Sequence, residues 1–404
     1  MTTSTPPRWS ATRRVAFAGL LAVTMASSTF GFTTFSVLSG QLLDTFRISR
    51  WQLGALVTAT AVLGAVLSPP MGRLADRIGG RNAMLATLLL SGAALAAISV
   101  SPVYLLVVFA ALAAGAAQSM ANPATNKLIS LHGTDGGRGT LTGIKQSGVQ
   151  VGTFLGGSLL PLGATTIGWR PTLLLAAVVP AVGLALSRRI VPPAGVDEDT
   201  SDEQEVAGSL VRSPFLLQLA VYGFLLGAGW SAVFTYLPDY GQNALGWTAT
   251  VAGLLVSAAG LCGIAGRIGW SWYAEHRSDA PRTLAVLATI GIAAITVILL
   301  SSRVPAMLWL GAAALGGSSG SWNSVGMFAI IDRLPERAAG AASGIVMFGF
   351  LIGLGVGAPA FGWSVDVTGA YVIGLVAAAV VHIAGLIVAL VLRRAPLGTA
   401  ATVA

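Results

Sequence analysis

Three histidines, one cysteine and fifteen acidic residues are the groups in this sequence that could ligate a metal, attack a substrate or carry a proton. His132 and His276 fall between apolar runs and His382 lies inside the last one, with no metal-ligand spacing among them. Cys262, alone, can form neither an internal disulfide nor a cysteine metal site. The letters of a serine-hydrolase elbow, G-x-S-x-G, occur once, as Gly316 to Gly320 in "GGSSGSWNS", but within an apolar run and not at the strand-to-helix turn such an elbow needs. No phosphate loop is present either, so ATP is not an evident energy source. No catalytic residue, metal or cofactor is expected, and an enzyme is not the expected class.

The polar groups that do lie inside apolar runs are few. Lys145 stands in "GIKQSG", followed by Gln146 and Gln150, an i,i+4 pair that shares one face of a helix. The lysine is placed either to attract an anion or to snorkel back to an aqueous interface. "GAAQSMANPATN" carries Gln118 and Asn122 at the same i,i+4 spacing, and "GGSSGSWNSVGM" carries Ser319 and Asn323. Such amides either line a solute path or hydrogen-bond between helices. Phe30 with Thr34 and Trp230 with Phe234 repeat the spacing with aromatic rings. No acidic residue sits in the middle of an apolar run; Asp44 and Asp239, near the ends of two runs, are the nearest groups that could titrate.

The elements that must position these residues are membrane helices. The chain has 404 residues, 54% hydrophobic and only 9% charged, against roughly a quarter charged in a soluble domain. Apolar runs of bilayer length recur throughout, without the alternating polarity of a β-barrel. Twelve spans are expected at about 15–38, 53–71, 82–100, 103–128, 140–164, 172–187, 215–237, 249–266, 283–300, 305–330, 341–361 and 371–392. Arg8, Arg13 and Arg14 precede the first run as in a secretory signal, but that run continues to Leu38, too long for one, and reads as an uncleaved span. Seventeen arginines fall on the side of the N-terminus and four on the other. By the positive-inside rule both termini are expected in the cytoplasm. The net charge of +8 reflects this topology, so no nucleic-acid partner is expected.

Val191 to Pro214 is the longest polar stretch, with six acidic residues. It reads as a tether dividing a six-helix bundle, 1–190, from a second, 214–404, with 191–213 as an acidic cytoplasmic linker. The halves repeat. "LGALVTATAVLG" aligns with "AGLLVSAAGLCG" so that Gly54 meets Gly253, and Gly139, Gly143, Gly148, Gly152 and Gly156 meet Gly340, Gly344, Gly349, Gly353 and Gly357. The 148–156 glycines form a helix-packing stripe. Two parallel six-helix repeats are an architecture of alternating access, with the solute at their interface. A channel fits that repeat less well, and a receptor or scaffold on the same fold is the bland alternative.

"GRLADRIGGR", Gly72 to Arg81, joins the second and third spans on the arginine-rich side. It resembles the signature loop of the major facilitator superfamily, with Gly72, Asp76, Arg77, Gly79 and Arg81 in register. The resemblance runs over nearly the whole chain and implies an all-α integral membrane protein of twelve transmembrane helices in two pseudo-symmetric six-helix bundles. It also implies that Gly72, Asp76, Arg77 and Arg81 belong to a cytoplasmic gate. Asp76 is suited besides to favour the N-terminus of span three. The second copy, "GRIGWSWYAEHR", is degenerate, with Glu275 for the aspartate. Spans one, four, seven and ten line the cavity in that family, which would turn Gln118, Asn122, Ser319, Asn323, Phe30, Thr34, Trp230 and Phe234 toward the solute. "GIKQSG" is similar to a subgroup of bacterial permeases for small anions and weak acids. The family's exporter signature in span five is missing. The expectation is therefore a monomeric plasma-membrane transporter, secondary or facilitative, with a small-molecule substrate, an anion or weak acid ahead of a cation, in a lipid bilayer. Proton-driven efflux of drugs or other small molecules is the alternative.

Overall fold

The apolar runs fold as helices because a backbone in hydrocarbon must satisfy its own hydrogen bonds. The computed structural model describes residues 10–132, 138–192, 213–277, 279–333 and 336–394, and among them thirteen helices and no strand. The first six are α1 (Ala11–Val37), α2 (Ser39–Phe46), α3 (Arg50–Val100), α4 (Tyr104–His132), α5 (Arg138–Thr166) and α6 (Trp169–Ile190). The second half contributes α7 (Pro214–Asn243), α8 (Ala249–Arg277), α9 (Ala280–Leu300), α10 (Met307–Gly317), α11 (Trp322–Arg333), α12 (Glu336–Thr368) and α13 (Val372–Arg394). Ten stretches among the described residues are long and apolar enough to cross a membrane; α5 and the α10–α11 pair occupy the places of spans five and ten. Residues 193–212, most of the expected linker, lie outside the described residues.

Two expectations about local structure need correction. The expected loop at 72–81 is almost entirely helical, and α3 carries two spans joined by a single reversal at Gly79 (φ 81°, ψ 149°), a conformation open to glycine at little cost. Asp76 thus stands in the last turn of span two rather than at the start of span three; its side chain lies outside the described residues. Span ten, expected unbroken, is interrupted at 318–321. There the Gly-Gly-Ser-Ser-Gly-Ser run gives the backbone side-chain and turn alternatives to the helical ladder, and the Gly320 N–H reaches back to Leu315 O at 3.1 Å.

The repeat found in sequence has a packing counterpart. Gly148 and Gly152 of α5 lie against Ala22 and Ala26 of α1, and Gly349 and Gly353 of α12 lie against Ala220 and Phe224 of α7. The halves meet through α3 with α12 and through α5 with α8. At one end, here the far end, they interlock. Gly54 is seated on Pro359 of the other half, so close that a Cβ would lie 2.5 Å from the proline Cα, and Gly253 is seated likewise on Pro161. One apolar core there draws on both halves, from Phe35 and Leu56 to Val256 and Phe361. At the opposite, basic end, where Arg13 and Arg81 bond the end of α6, there are two separate cores. One contains Phe17, Met84 and Leu128 of the first half, the other Leu216, Leu284 and Trp322 of the second. Gly72, Gly344, Gly143 and Gly269 stand in open space there: a Cβ added at any of them would meet no atom of the described residues within 4 Å. The cleft between the halves opens at the basic end.

Candidate functional site

Lys145, about two turns into α5, does not snorkel. It is 1% exposed, and its Nζ donates to Asn122 Oδ1 at 3.2 Å, Thr125 Oγ1 at 3.1 Å and Asn126 Oδ1 of α4. Three acceptors satisfy the three ammonium hydrogens. Gln146 Nε2 shares Asn122 Oδ1 at 3.4 Å. The structure therefore joins Lys145, Gln146 and Asn122 in one cluster. It adds Thr125 and Asn126, which the sequence pattern does not single out although they lie three and four residues beyond Asn122. Gln150, one turn along α5, is buried against Gly263 of α8.

Across the interface stands Arg267, whose place the hydropathy pattern gets wrong. The expected span ends at 266 and leaves this arginine in a loop, but α8 continues to Arg277 and holds it within the bundle. It lies one turn from Gly263, on the face that meets α5, and this register sets it opposite Gln146. Its Nη2 donates to Gly320 O over a long 3.5 Å, and its buried Nε has no partner among the described residues. Neither Lys145 nor Arg267 has a carboxylate within salt-bridge range among the described residues. The signal that reveals Arg267 is helix length: a span drawn to stop at the first cation is too short when that cation is inside.

The break in span ten explains the second half of the site. Ser321 N turns back to Ser318 O at 2.8 Å and Ser324 N to Ser321 O at 3.2 Å. The carbonyls of Gly317 and Gly320 thereby lose their usual i+4 partners and face α8, where Trp270 Nε1 takes Gly317 O at 2.8 Å. Trp230 of α7 lies against Gly320 and stacks on Phe234, ring centroids 4.5 Å apart. Ser319 turns the other way, into the second bundle, where it meets His382. Gln118 is half-buried with Oε1 unpartnered, beside Gly64 of α3, and Asn323 also has an unpartnered buried Oδ1. Phe30 packs against Gly156 and the far-end core, and Thr34 is wholly buried.

Of the expected gate residues, Arg77 is exposed at the basic end and Arg81 donates to Arg188 O at 3.0 Å within its own half. Gly72 has open space around it, and Glu275 is exposed in the last turn of α8. At the far end Arg50 of the first half meets Asp239 of the second, Nε to Oδ2 2.7 Å. Asp239, fully buried, also accepts from Tyr371 at 2.5 Å and Asn243 at 2.8 Å. Asp366 accepts the Arg50 and Trp51 N–H groups at 3.0 and 2.8 Å.

The family profile of the Major Facilitator Superfamily matches residues 20–302. The chain belongs to this superfamily. It is a multi-pass membrane protein of that superfamily. Monocarboxylate transporter 13 of Rattus norvegicus is 25% identical over 251 residues, 61% of this chain and 58% of the relative. An uncharacterized MFS-type transporter of Mycobacterium tuberculosis is 29% identical over 233 residues, 57% of this chain and 52% of the relative. The chain thus spans a little over half the length of these relatives. Among solved structures, a bacterial homolog to the human lysosomal transporter Spinster, inward-facing and occupied, superposes with a TM-score of 0.76. It is 16% identical, over 96% of this chain and 98% of that one, a likeness of fold.

Proposed function

We propose that this superfamily member moves a small organic anion by alternating access, with Arg267 as the group that binds its negative charge. The supporting observation is the guanidinium itself: held inside the bundle, weakly bonded to one carbonyl, with a buried Nε unpartnered. A guanidinium offers a carboxylate a planar fork of donors, and an unpaired donor in that setting favours a ligand that completes it. Lys145 adds fixed positive charge while orienting Asn122 and Gln146 opposite Arg267, and Gln118, Asn323 and Trp230 form the rest of the wall. The name monocarboxylate transporter, borne by two of the relatives, favours the same substrate class. The opening at the basic end admits the solute from the cytoplasm if the arginine-rich loops are cytoplasmic; sixteen of the seventeen arginines still support that after Arg267 moves into the bundle. Gly72, Asp76, Arg77, Arg81 and Glu275 close that end in the opposite state. The transporter works as a monomer in the plasma membrane.

The test is ligand-induced thermal stabilisation of the purified protein by small carboxylates and by hydrophobic cations. Carboxylates should stabilise it. Arg267→Gln should weaken carboxylate binding roughly ten- to a hundredfold, the worth of a charged hydrogen bond of about 1.5–3 kcal/mol. Lys145→Gln should cost stability more than affinity. Stabilisation by cations alone, or an Arg267→Gln protein with unchanged carboxylate affinity, would overturn the reading.

A further inference from the structure

His382 has no part in the site as proposed, yet the second bundle is built closely around it. It is fully buried, and both ring nitrogens are engaged. Nδ1 lies 2.9 Å from Ala378 O on its own helix and Nε2 lies 2.8 Å from Ser319 Oγ. A carbonyl only accepts, so Nδ1 carries the hydrogen, and Nε2 is left to accept from the Ser319 hydroxyl. The ring occupies space that two glycines leave. A Cβ on Gly291 would lie 2.6 Å from both His382 Cδ2 and Ser319 Oγ, and one on Gly229 would strike the ring edge. Helices α7, α9 and α13 thus enclose an imidazole that reaches a single serine, and that serine sits in the break of span ten.

The break is held from two sides. On the α8 side, Arg267 and Trp270 take the freed carbonyls of Gly320 and Gly317. On the α13 side, His382 takes the Ser319 hydroxyl. Ser319 and Gly320 are adjacent, so rotation of this backbone about the serine swings the Gly320 carbonyl. A Gly-Ser run has little rotameric or steric stiffness of its own, so its conformation is set by such outside bonds.

We infer that His382 is a positioning residue for the anion site, acting through Ser319 and the span-ten break on the Gly320 carbonyl that orients Arg267. The inference rests on the reading of Arg267 as the anion-binding group for its consequence, and on geometry alone for its mechanism. Gly320 O holds one arm of the guanidinium. Without the His382 bond, the carbonyl loses its fixed direction and the guanidinium its orientation.

The experiment reads Arg267 directly. The rate at which phenylglyoxal modifies Arg267, followed by peptide mapping of the full-length protein in detergent, reports the setting of the guanidinium without any substrate. Ser319→Ala, which removes one oxygen, and His382→Phe should each change that rate about two- to tenfold, the factor a neutral hydrogen bond is worth. The double variant should do no more than either single one, since both remove the same bond. His382→Gln, whose amide oxygen can accept from Ser319, should restore most of the native rate. An unchanged rate in Ser319→Ala, or additive effects in the double variant, overturns the inference; a fall in melting temperature alone marks a merely structural histidine. Carboxylate binding measured on the same proteins separates the two claims. If Ser319→Ala alters the Arg267 rate while Arg267→Gln leaves carboxylate affinity intact, the positioning relay stands and the anion reading falls.

Discussion

The two ends of the interface between the halves are made of the same residue types at related positions, and they behave oppositely. At the far end Gly54 and Gly253 let backbones interlock with Pro359 and Pro161, one core serves both halves, and Arg50, Asp239, Tyr371 and Asp366 bond across the seam. At the basic end Gly72 and Gly344, two turns beyond Ala65 and Leu351, have no described residue against them. Each half there closes a core of its own. Under the proposed alternating access, an end that parts and re-forms cannot depend on a shared core: separate cores at the basic end would keep each half folded while the cleft is open there, and glycines on the facing surfaces would permit backbone approach when it closes.

The largest expected break of this contrast is Gly54→Leu. Overpacking costs about 1–3 kcal/mol even where side chains can yield, and here the obstruction is proline backbone. The far-end-closed form should fall roughly five- to a hundredfold in relative population. Disulfide trapping reads this: with Cys262→Ser, the pair Gly72→Cys and Gly344→Cys should cross-link faster when Gly54→Leu is added. An unchanged rate would mean that the far-end seam does not oppose closure of the basic end.

Next comes Asp239→Asn. The carboxylate receives charged hydrogen bonds from Arg50, which is a quarter exposed, so solvent reduces the gain. A cost of about 1–2 kcal/mol remains. The same cross-link should accelerate about five- to thirtyfold, and Tyr371→Phe, removing one bond to Asp239, should do less. If Asp239→Asn slows it, the ion pair holds some other state.

The contrast is only half legible in the sequence. Hydropathy and the arginine count give the spans, the two halves and the family loop, because bilayer length and loop charge are local properties of the chain. The glycine offsets give the packing stripes, though not their partners. Which end is closed depends on which glycines meet the other half: the charges around Gly72 place it at the basic end, but nothing local says whether that end is open. Arg267 is hidden for a related reason. A cation marks the end of a span when it faces water and not when it is held inside the bundle, and the difference lies in the further residues of helix from Arg267 to Arg277. His382 is visible as a titratable residue in the last span, but its bond to Ser319 spans 63 positions and needs the break in span ten.

A smaller effect is expected from Asp76→Asn. A negative charge in the last turn of a helix opposes the helix dipole by about 0.3–1 kcal/mol. Its place at the end of span two therefore costs the helix a little, which suits a charge kept for a contact made when the basic end closes. Transport in vesicles should slow about two- to fivefold, while far-end packing, read by trapping Trp51→Cys with Asp366→Cys, stays intact. Full transport in Asp76→Asn would remove it from the gate.

The smallest expected effect separates the two ends with one chemical change. Gly54→Ala and Gly72→Ala each add a single methyl to α3, about 18 residues apart. Away from contacts, alanine in place of a helical glycine gains about 1 kcal/mol. At Gly54 that gain meets Pro359 backbone at 2.5 Å and should be reversed, lowering the melting temperature. At Gly72 no described residue stands within 4 Å, so the melting temperature should hold or rise slightly. The methyl at 72 is felt only when the basic end closes on Gly344, so its cost should appear in turnover and not in stability. Adding Gly344→Ala should deepen the turnover loss more than additively, because the two methyls would then meet each other. Equal losses of stability from Gly54→Ala and Gly72→Ala would mean that the basic end is packed as tightly as the far end, and the contrast between them would fail.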